Sequence, residues 1–390
     1  MFINNKILLE YIWIDSNDNL RSKIKIIQKN NDNFTINTIP EWNFDGSSTG
    51  QAKGTNSDVL IRPCAFYPNP FVDYIEGYLV ICDCWNKDGS PHITNHRVKL
   101  VETFNNCIEQ EPLFGIEQEY VMFERKSNQS QSQSQSQSQS QSQSQSQSQS
   151  QSQSTNKIDF CDGTIETPVP YKWIQHNEPG FGPQGPYYCG VGGGVSFGRK
   201  IVDTHLQLCL QAGLSICGTN AEVMASQWEY QIGPINPLDV SDQIWISRYI
   251  LHKISEQYDC VISFHPKPYK GDWNGSGAHT NFSTKVMREP NGYDEIEIAC
   301  KKLSHTHKSH MDVYGKFNEE RLSGIHETSS INSFSWGVSD RGKSIRIPLN
   351  VLKDSCGYLE DRRPGANQDP YLVCEKICST ICLSNFSIKI

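Results

Sequence analysis

The chain of 390 residues has no apolar run long enough to cross a bilayer, and its first residues carry no secretory h-region or Arg-rich leader. These absences point to the cytosol and away from a membrane partner. Basic residues are outnumbered: the net charge is −8 and no Lys/Arg cluster occurs, which argues against a nucleic-acid partner. There are 14 cysteines, yet no C-x-x-C pair, so a zinc ribbon or a disulfide framework is not indicated. Cys374, Cys378 and Cys382 recur every four residues, which marks the packed face of a helix. The phosphate-binding G-x-x-x-x-G-K-[ST] is missing. Glycines do cluster between Pro179 and Gly194, but the interleaved prolines deny them the strand-then-helix setting of a dinucleotide fingerprint. That stretch is an active-site loop or a plain connector.

The length suits two domains with a sizeable core. Residues 9–15 and 22–27 alternate as two strands around the turn cluster Asp15–Asn19. A loop follows in which aromatics alternate with Asp, Asn and Ser (Pro40–Gly50, then Asn56–Asp58), and Leu79–Ile81 with Cys84–Trp85 forms a last strand. Asn95 then caps a helix whose expected buried stripe is Val98, Val101, Phe104 and Ile108. This places a domain boundary after residue 92, with 1–92 a small β-rich unit and 93–390 the larger, catalytic one. Alternating Ser and Gln from Gln129 to Ser154 contain no apolar residue to offset the entropy of ordering. The expectation is a disordered insertion over 127–156, neutral for function.

Chemistry begins at Gly115–Phe123. Ile116, Gln118, Tyr120 and Met122 alternate with Glu117, Glu119 and Val121, so a strand would set both glutamates on one face. Such a pair is commonly a solvated strand face; buried, it demands cations. Glu222 and Glu229 form a second acidic segment, and their spacing requires the chain to turn between them if both serve one site. A helix over 201–212 carries His205 on its apolar stripe, which reads as a core histidine, and a long helix covers 240–258. Gly275 and Gly277 flank Ser276 ahead of His279, where backbone can approach a ligand closely. His305, His307 and His310 lie on a helix and are expected to be solvated. The last third supplies Arg321, Arg341, Arg346 and Arg362 beside apolar β-runs, which favours an anion site, and residues 370–382 close the chain as a helix. Glu117, Glu119, Glu222, Glu229 and Glu360, the last beside Arg362, suit Mg²⁺ or Mn²⁺ together with His279, and the arginines suit a phosphoryl group. The chemistry read from these residues is ATP-dependent phosphoryl transfer or ligation without a P-loop.

The segments WNFDGSSTG, GIEQEY, GPQGPYYCGVG, GTNAEVMASQWEYQIGP, NGSGAHTNFST, HETSSIN, RGKSIRIP and YLEDRRPGAN together resemble eukaryotic-type glutamine synthetase. The likeness spans nearly the whole chain outside the Ser/Gln tract. It implies an α+β protein: an N-terminal β-grasp domain and a C-terminal domain with a curved antiparallel sheet and flanking helices. Ammonia would be ligated to L-glutamate with ATP, through γ-glutamyl phosphate. Stacked rings of subunits, a decamer, would share active sites between neighbours. By the same resemblance Glu119, Glu222 and Glu229 hold one metal ion, and Glu117, His279 and Glu360 the other. Asn274, Gly275, Arg321 and Arg362 bind glutamate, and Arg341 and Arg346 face the phosphate. Asn281, Ser283, Arg288 and Tyr358, with Arg346, line the ATP site. Glu327 covers the intermediate, while Asp45 and Asp58 arrive from the neighbouring subunit, Asp45 taking the ammonium proton. Ala225, His265 and Gly193–Gly194 depart from the family's habit without removing a ligand. A phosphagen kinase, a γ-glutamyl-amine ligase of the same fold and a non-catalytic ring-forming relative are the alternatives.

Overall fold

The computed structural model describes residues 5–29, 34–125, 158–160, 163–165, 169–173 and 184–384. The expected Ser/Gln insertion over 127–156, and Pro179–Pro183 of the Gly/Pro loop, lie outside them. Strand β1 (Lys6–Ile14) sends Ile7, Leu9, Tyr11 and Trp13 to one face, where they pack with Phe44, Val59, Ile61 and Val80. Its opposite face carries Ile12 into a larger core, as period-2 alternation requires. Strands β2 (Leu20–Gln28), β3 (Trp42–Asp45), β4 (Asp58–Pro68) and β5 (Glu76–Trp85) complete a sheet of order β2-β1-β5-β4-β3. β1 and β5 run parallel, and the other neighbours antiparallel.

The second sheet is built around β6 (Leu113–Glu124). It is followed by a short antiparallel pair, β7 (Ile158–Phe160) and β8 (Gly163–Ile165). The remaining members are β9 (Ile216–Ala221), β10 (Gln227–Ile235), β11 (Cys260–Ser263), β12 (Ala278–Ser283), β13 (Trp336–Val338), β14 (Ile345–Ile347) and β15 (Leu359–Asp361). Their order is β13-β14-β15-β12-β6-β10-β9, with β11 also pairing β6. The ladders are antiparallel except β13 with β14, which is parallel. The sheet is antiparallel as expected, with one parallel pair added at its edge, where the segment between β13 and β14 crosses over so that the two strands run the same way.

Helix α1 (Arg97–Cys107) starts just after Asn95, whose Oδ1 accepts from the Val98 amide at 3.4 Å. Its buried face is not the expected Val98/Val101/Phe104/Ile108 stripe. Leu100, Thr103 and Cys107 are buried instead, and Ile108 is 48 % exposed. The reason is the docking partner: Thr103 meets Glu375 of the C-terminal helix, and Cys107 meets Cys378 and Cys382. Helix α2 (Arg199–Gln211) buries Ile201, Val202, His205 and Cys209, with Gly213 at φ 75° ending it. As expected, His205 is a core residue, its Nε2 3.0 Å from the Ser247 carbonyl. Helix α3 (Pro237–Ser255) starts earlier than the sequence reading, because Asn236 caps it and Pro237 is tolerated in the first turn. The C-terminal helix (Pro370–Cys378) buries Cys374 and Cys378 and ends in a π-turn over Ser379–Leu383.

His310 corrects the expectation of a solvated histidine. It is fully buried, with Nδ1 2.6 Å from Tyr314 Oη and Nε2 2.9 Å from Thr380 Oγ1. Its helix is pressed between the second sheet and the C-terminal segment, so the polar face found partners inside. His307 is half-buried against the Ile331 carbonyl, and His305 is exposed. The first sheet is tied to α3 by Glu10 of β1, which receives Lys253 at 2.7 Å and also accepts from Asn69 at 2.8 Å. Among the described residues no helix is long and apolar enough to cross a membrane.

Candidate active site

Side-chain alternation on β6 puts Ile116, Gln118, Tyr120 and Met122 into the interior, all fully buried. Glu117 and Glu119 therefore share the other face. What they meet there is set by register. Glu119 stands directly opposite Glu229 on β10, and Glu117 opposite His279 on β12. One strand further, Asn281 pairs with Glu360, and Glu360 with Arg346. The turn Glu222–Ser226 between β9 and β10 returns the chain, so Glu222 and Glu229 reach one cavity, as their spacing required.

That cavity holds about 310 Å³ and is lined by all six predicted metal-ligating side chains, by Asn274 and Gly275, by Glu327, and by Arg321, Arg341, Arg346 and Arg362. Ligand atoms of Glu117, His279 and Glu360 lie within 4.8 Å of one another, and so do those of Glu119, Glu229 and His279. Glu222 lines the same cavity but sits outside both triplets, its carboxylate held by Asn220 at 2.9 Å. His279 is the shared member: Nδ1 is 3.4 Å from Glu117 and 3.6 Å from Glu360, and Nε2 is 4.0 Å from Glu119. Arg321 Nη2 lies 3.1 Å from Nε2.

Electrostatics mark the site as one that favours added positive charge. Burial pushes the Glu119 carboxyl up to about 7, against the pull of Arg321. Burial and then the Glu119 charge push Glu222 to about 8 and Glu229 to about 9. Burial, followed by the nearby Arg362, holds the His279 imidazole well below its ordinary range, so it stays neutral. Carboxylates facing each other across adjacent strands destabilise a sheet unless a cation stands between them. Glu360 is answered differently, by Arg346 and by Arg362, the latter at 2.6 Å. Gly277 is required here, since a Cβ would come within 2.4 Å of Arg321 Nη2 and 2.9 Å of His279 Nε2. Over the cavity, His326 and Glu327 both hold φ near +55–59°, a strained pair of non-glycine residues.

Several predicted residues lie elsewhere. Asn281 does not line the cavity but donates to Glu117 at 2.8 Å. Ser283 and Arg288 bond each other at 3.0 Å away from the cavity wall. Tyr358 is 36 % exposed near Glu117, Glu360 and Arg346. Asp45 and Asp58 are a cross-strand pair on β3 and β4, and neither lines the cavity of its own chain. Asp45 instead accepts from Ser47 and Ser48, which hold its carboxyl below the usual range. Sequence reasoning missed the amides Asn220, Gln227 and Gln231. Gln227 donates to Glu119 at 3.1 Å and Gln231 donates to Glu229. The i, i+2, i+4 spacing of Gln227, Glu229 and Gln231 was the available signal. Gln184 and Tyr188 also reach the cavity, which makes the Gly/Pro-rich segment an active-site loop.

Carboxylates and an imidazole clustered with four guanidinium groups on one face of a sheet define a class: a metal-dependent enzyme that handles a phosphoryl group. Comparison with known proteins narrows it. Residues 99–312 match the family described as glutamine synthetase, catalytic domain. A glutamine synthetase of Yarrowia lipolytica is 46 % identical over 376 residues, 96 % of this chain and 91 % of the relative. One from Saccharomyces cerevisiae is 45 % identical over 377 residues, 97 % of this chain and 90 % of the relative. A cryo-EM structure of Plasmodium falciparum glutamine synthetase shares the fold, with a TM-score of 0.71 at 16 % identity, covering 97 % of this chain and 72 % of that one. The chain belongs to the glutamine synthetase family.

Proposed function

We propose a division of labour among the cavity's side chains for this family's reaction. The chain is a ligase: it joins ammonia to L-glutamate with ATP, giving L-glutamine, ADP and phosphate through γ-glutamyl phosphate, and it depends on a divalent metal. The donor set fits such an ion, because buried carboxylates stand opposed across adjacent strands with ligand atoms within 4.8 Å of a neutral imidazole. Glu117, His279 and Glu360 would hold one Mg²⁺ or Mn²⁺, and Glu119, Glu222 and Glu229 the other. When bound, these ions supply positive charge that offsets the crowded phosphate oxygens during transfer.

The protein's own groups do the rest. Arg321 and Arg362, with Asn274 and the Gly275 backbone, bind and orient glutamate so that its γ-carboxylate points at the γ-phosphorus of ATP. Arg341 and Arg346 flank the transferring phosphoryl group, whose charge guanidinium groups stabilise. Asn281, Ser283, Arg288 and Tyr358 line the nucleotide beyond the cavity. Asp45 and Asp58 serve the cavity of a neighbouring subunit, where Asp45 accepts the ammonium proton before ammonia attacks the acyl phosphate. Glu327 closes over the intermediate and excludes water. This arrangement calls for stacked rings, a decamer, in a cytoplasmic enzyme. The chain divides at residue 92 into a β-grasp unit (1–92) and a catalytic unit (93–390).

The observation that carries this reading is the register that sets Glu119 against Glu229 and Glu117 against His279 on one face. It is tested by phosphate release from ATP with glutamate and Mg²⁺, comparing ammonium with ethanolamine and a polyamine. Turnover should require ammonium. Turnover without it, or a preference for another amine, overturns the assignment.

A further inference from the structure

We propose that Asn220 and Gln231 form a neutral amide relay that orients Glu222 and Glu229 for their metal ion, which makes both of them positioning residues for the ligation. The inference rests on the reading of those carboxylates as ligands. Asn220 Nδ2 donates to Glu222 Oε1 at 2.9 Å. Gln231 Nε2 donates to Asn220 Oδ1 at 2.9 Å and also to Glu229 Oε1. One continuous chain, carboxylate–amide–amide–carboxylate, thus spans the β9–β10 hairpin.

Its polarity has a single solution for the ionised carboxylates that a cation needs. A carboxylate only accepts, so the Asn220 NH₂ must face Glu222, which leaves its oxygen to accept from Gln231. The second N–H of Gln231 is then directed to Glu229. Backbone register builds the relay: Asn220 pairs directly with Glu229, and Gln231 follows two residues on, on the same face. Gln231 pairs with Gly218, and a Cβ at Gly218 would lie 2.3 Å from Gln231 Oε1. Only glycine leaves the amide its place.

Neutral donors suit this task. A lysine or arginine would orient the carboxylates but would also answer their charge and compete with the ion. Amides fix direction and leave the negative charge available, as partners behind metal ligands generally do. Gln227 treats Glu119 in the same way, whereas Glu360, near the phosphate-facing arginines, is held by guanidinium groups.

The test is Mn²⁺ binding to the full-length assembled enzyme without nucleotide, read from the electron paramagnetic resonance signal of free Mn²⁺. Asn220→Asp and Gln231→Leu should each weaken Mn²⁺ about ten- to hundredfold, the range for lost partners of metal ligands. They should raise the KM for metal, with much of kcat returning at high metal. Asn220→Asp is decisive in sign, because it adds negative charge while removing the donor. Tighter Mn²⁺ binding in it would mean that charge alone matters and would overturn the relay. Unchanged affinity in both variants would also overturn it. Should neither assemble, Gly218→Ala displaces Gln231 without deleting an amide and carries the same expectation. Glu229→Gln separates the two layers. If it binds Mn²⁺ like the wild type, the ligand reading falls; if it loses binding while the relay variants keep it, only the relay falls.

Discussion

Glu119 and Glu229 stand directly opposite each other on neighbouring strands, both buried. A buried, opposed carboxyl pair favours a proton or a cation at that point, and this shapes how the protein should respond to pH, metal and mutation.

Stability of the metal-free protein should fall as pH rises. The folded-state values of Glu119, Glu222 and Glu229 are raised from 4.5 to about 7, 8 and 9. Between those limits the native state binds more protons than the unfolded chain, so stability declines with pH. Thermal unfolding after chelation should show a melting temperature that drops from pH 6 to pH 9. Added Mg²⁺ or Mn²⁺ should restore it, with the greatest gain at high pH and with proton release on binding. A flat metal-free profile would contradict this.

Glu229→Gln should separate stability from activity. Removing one of two opposed carboxylates should raise metal-free stability by about 1 kcal/mol while activity collapses, the trade-off expected where a site is built under strain. Parallel denaturant unfolding and glutamine-formation assays give both numbers.

Arg346 on β14 and Arg363, two residues past the end of β15, should behave oppositely. Arg363 is fully buried, 2.6 Å from Asp361, which also accepts from Tyr314. Arg363→Ala should cost about 3–5 kcal/mol, because Asp361 would be left buried without its counter-charge. Arg346→Ala leaves Glu360 its second partner, Arg362, so the fold should hold while phosphoryl transfer fails. Equal losses of stability in the two variants would refute the distinction.

Asp45→Ala and Glu229→Gln should complement each other if sites are shared. Each pure variant should be inactive. Subunits mixed by dissociation and reassembly should regain activity, since an intact carboxylate cavity can then meet an intact Asp45 loop. No recovery in verified mixed assemblies would place Asp45 outside the reaction.

Much of this was legible along the chain. Glu117 and Glu119 alternate with apolar residues, and that period alone assigned them to one face. The need for a turn between Glu222 and Glu229 followed from the same parity, and the structure puts a hairpin there. His205 was readable as core because its whole helical stripe is apolar. The role of Asn220 was not legible, since an amide near a glutamate is ordinary until a register makes them touch.

What the sequence determined by itself were local periods: which residues share a strand face, where glycine and proline break it, and which carboxylates and arginines are present. Only tertiary structure decided who stands opposite whom. Register set Glu119 against Glu229, and packing chose Leu100 and Cys107 over Val98 and Ile108 for burial. The same packing drew His310 inside, and Asp45 does not line its own chain's cavity. The physical reason is that periodicity is a property of one segment, whereas burial and charge pairing depend on a second segment distant in sequence, and no local pattern encodes that distance.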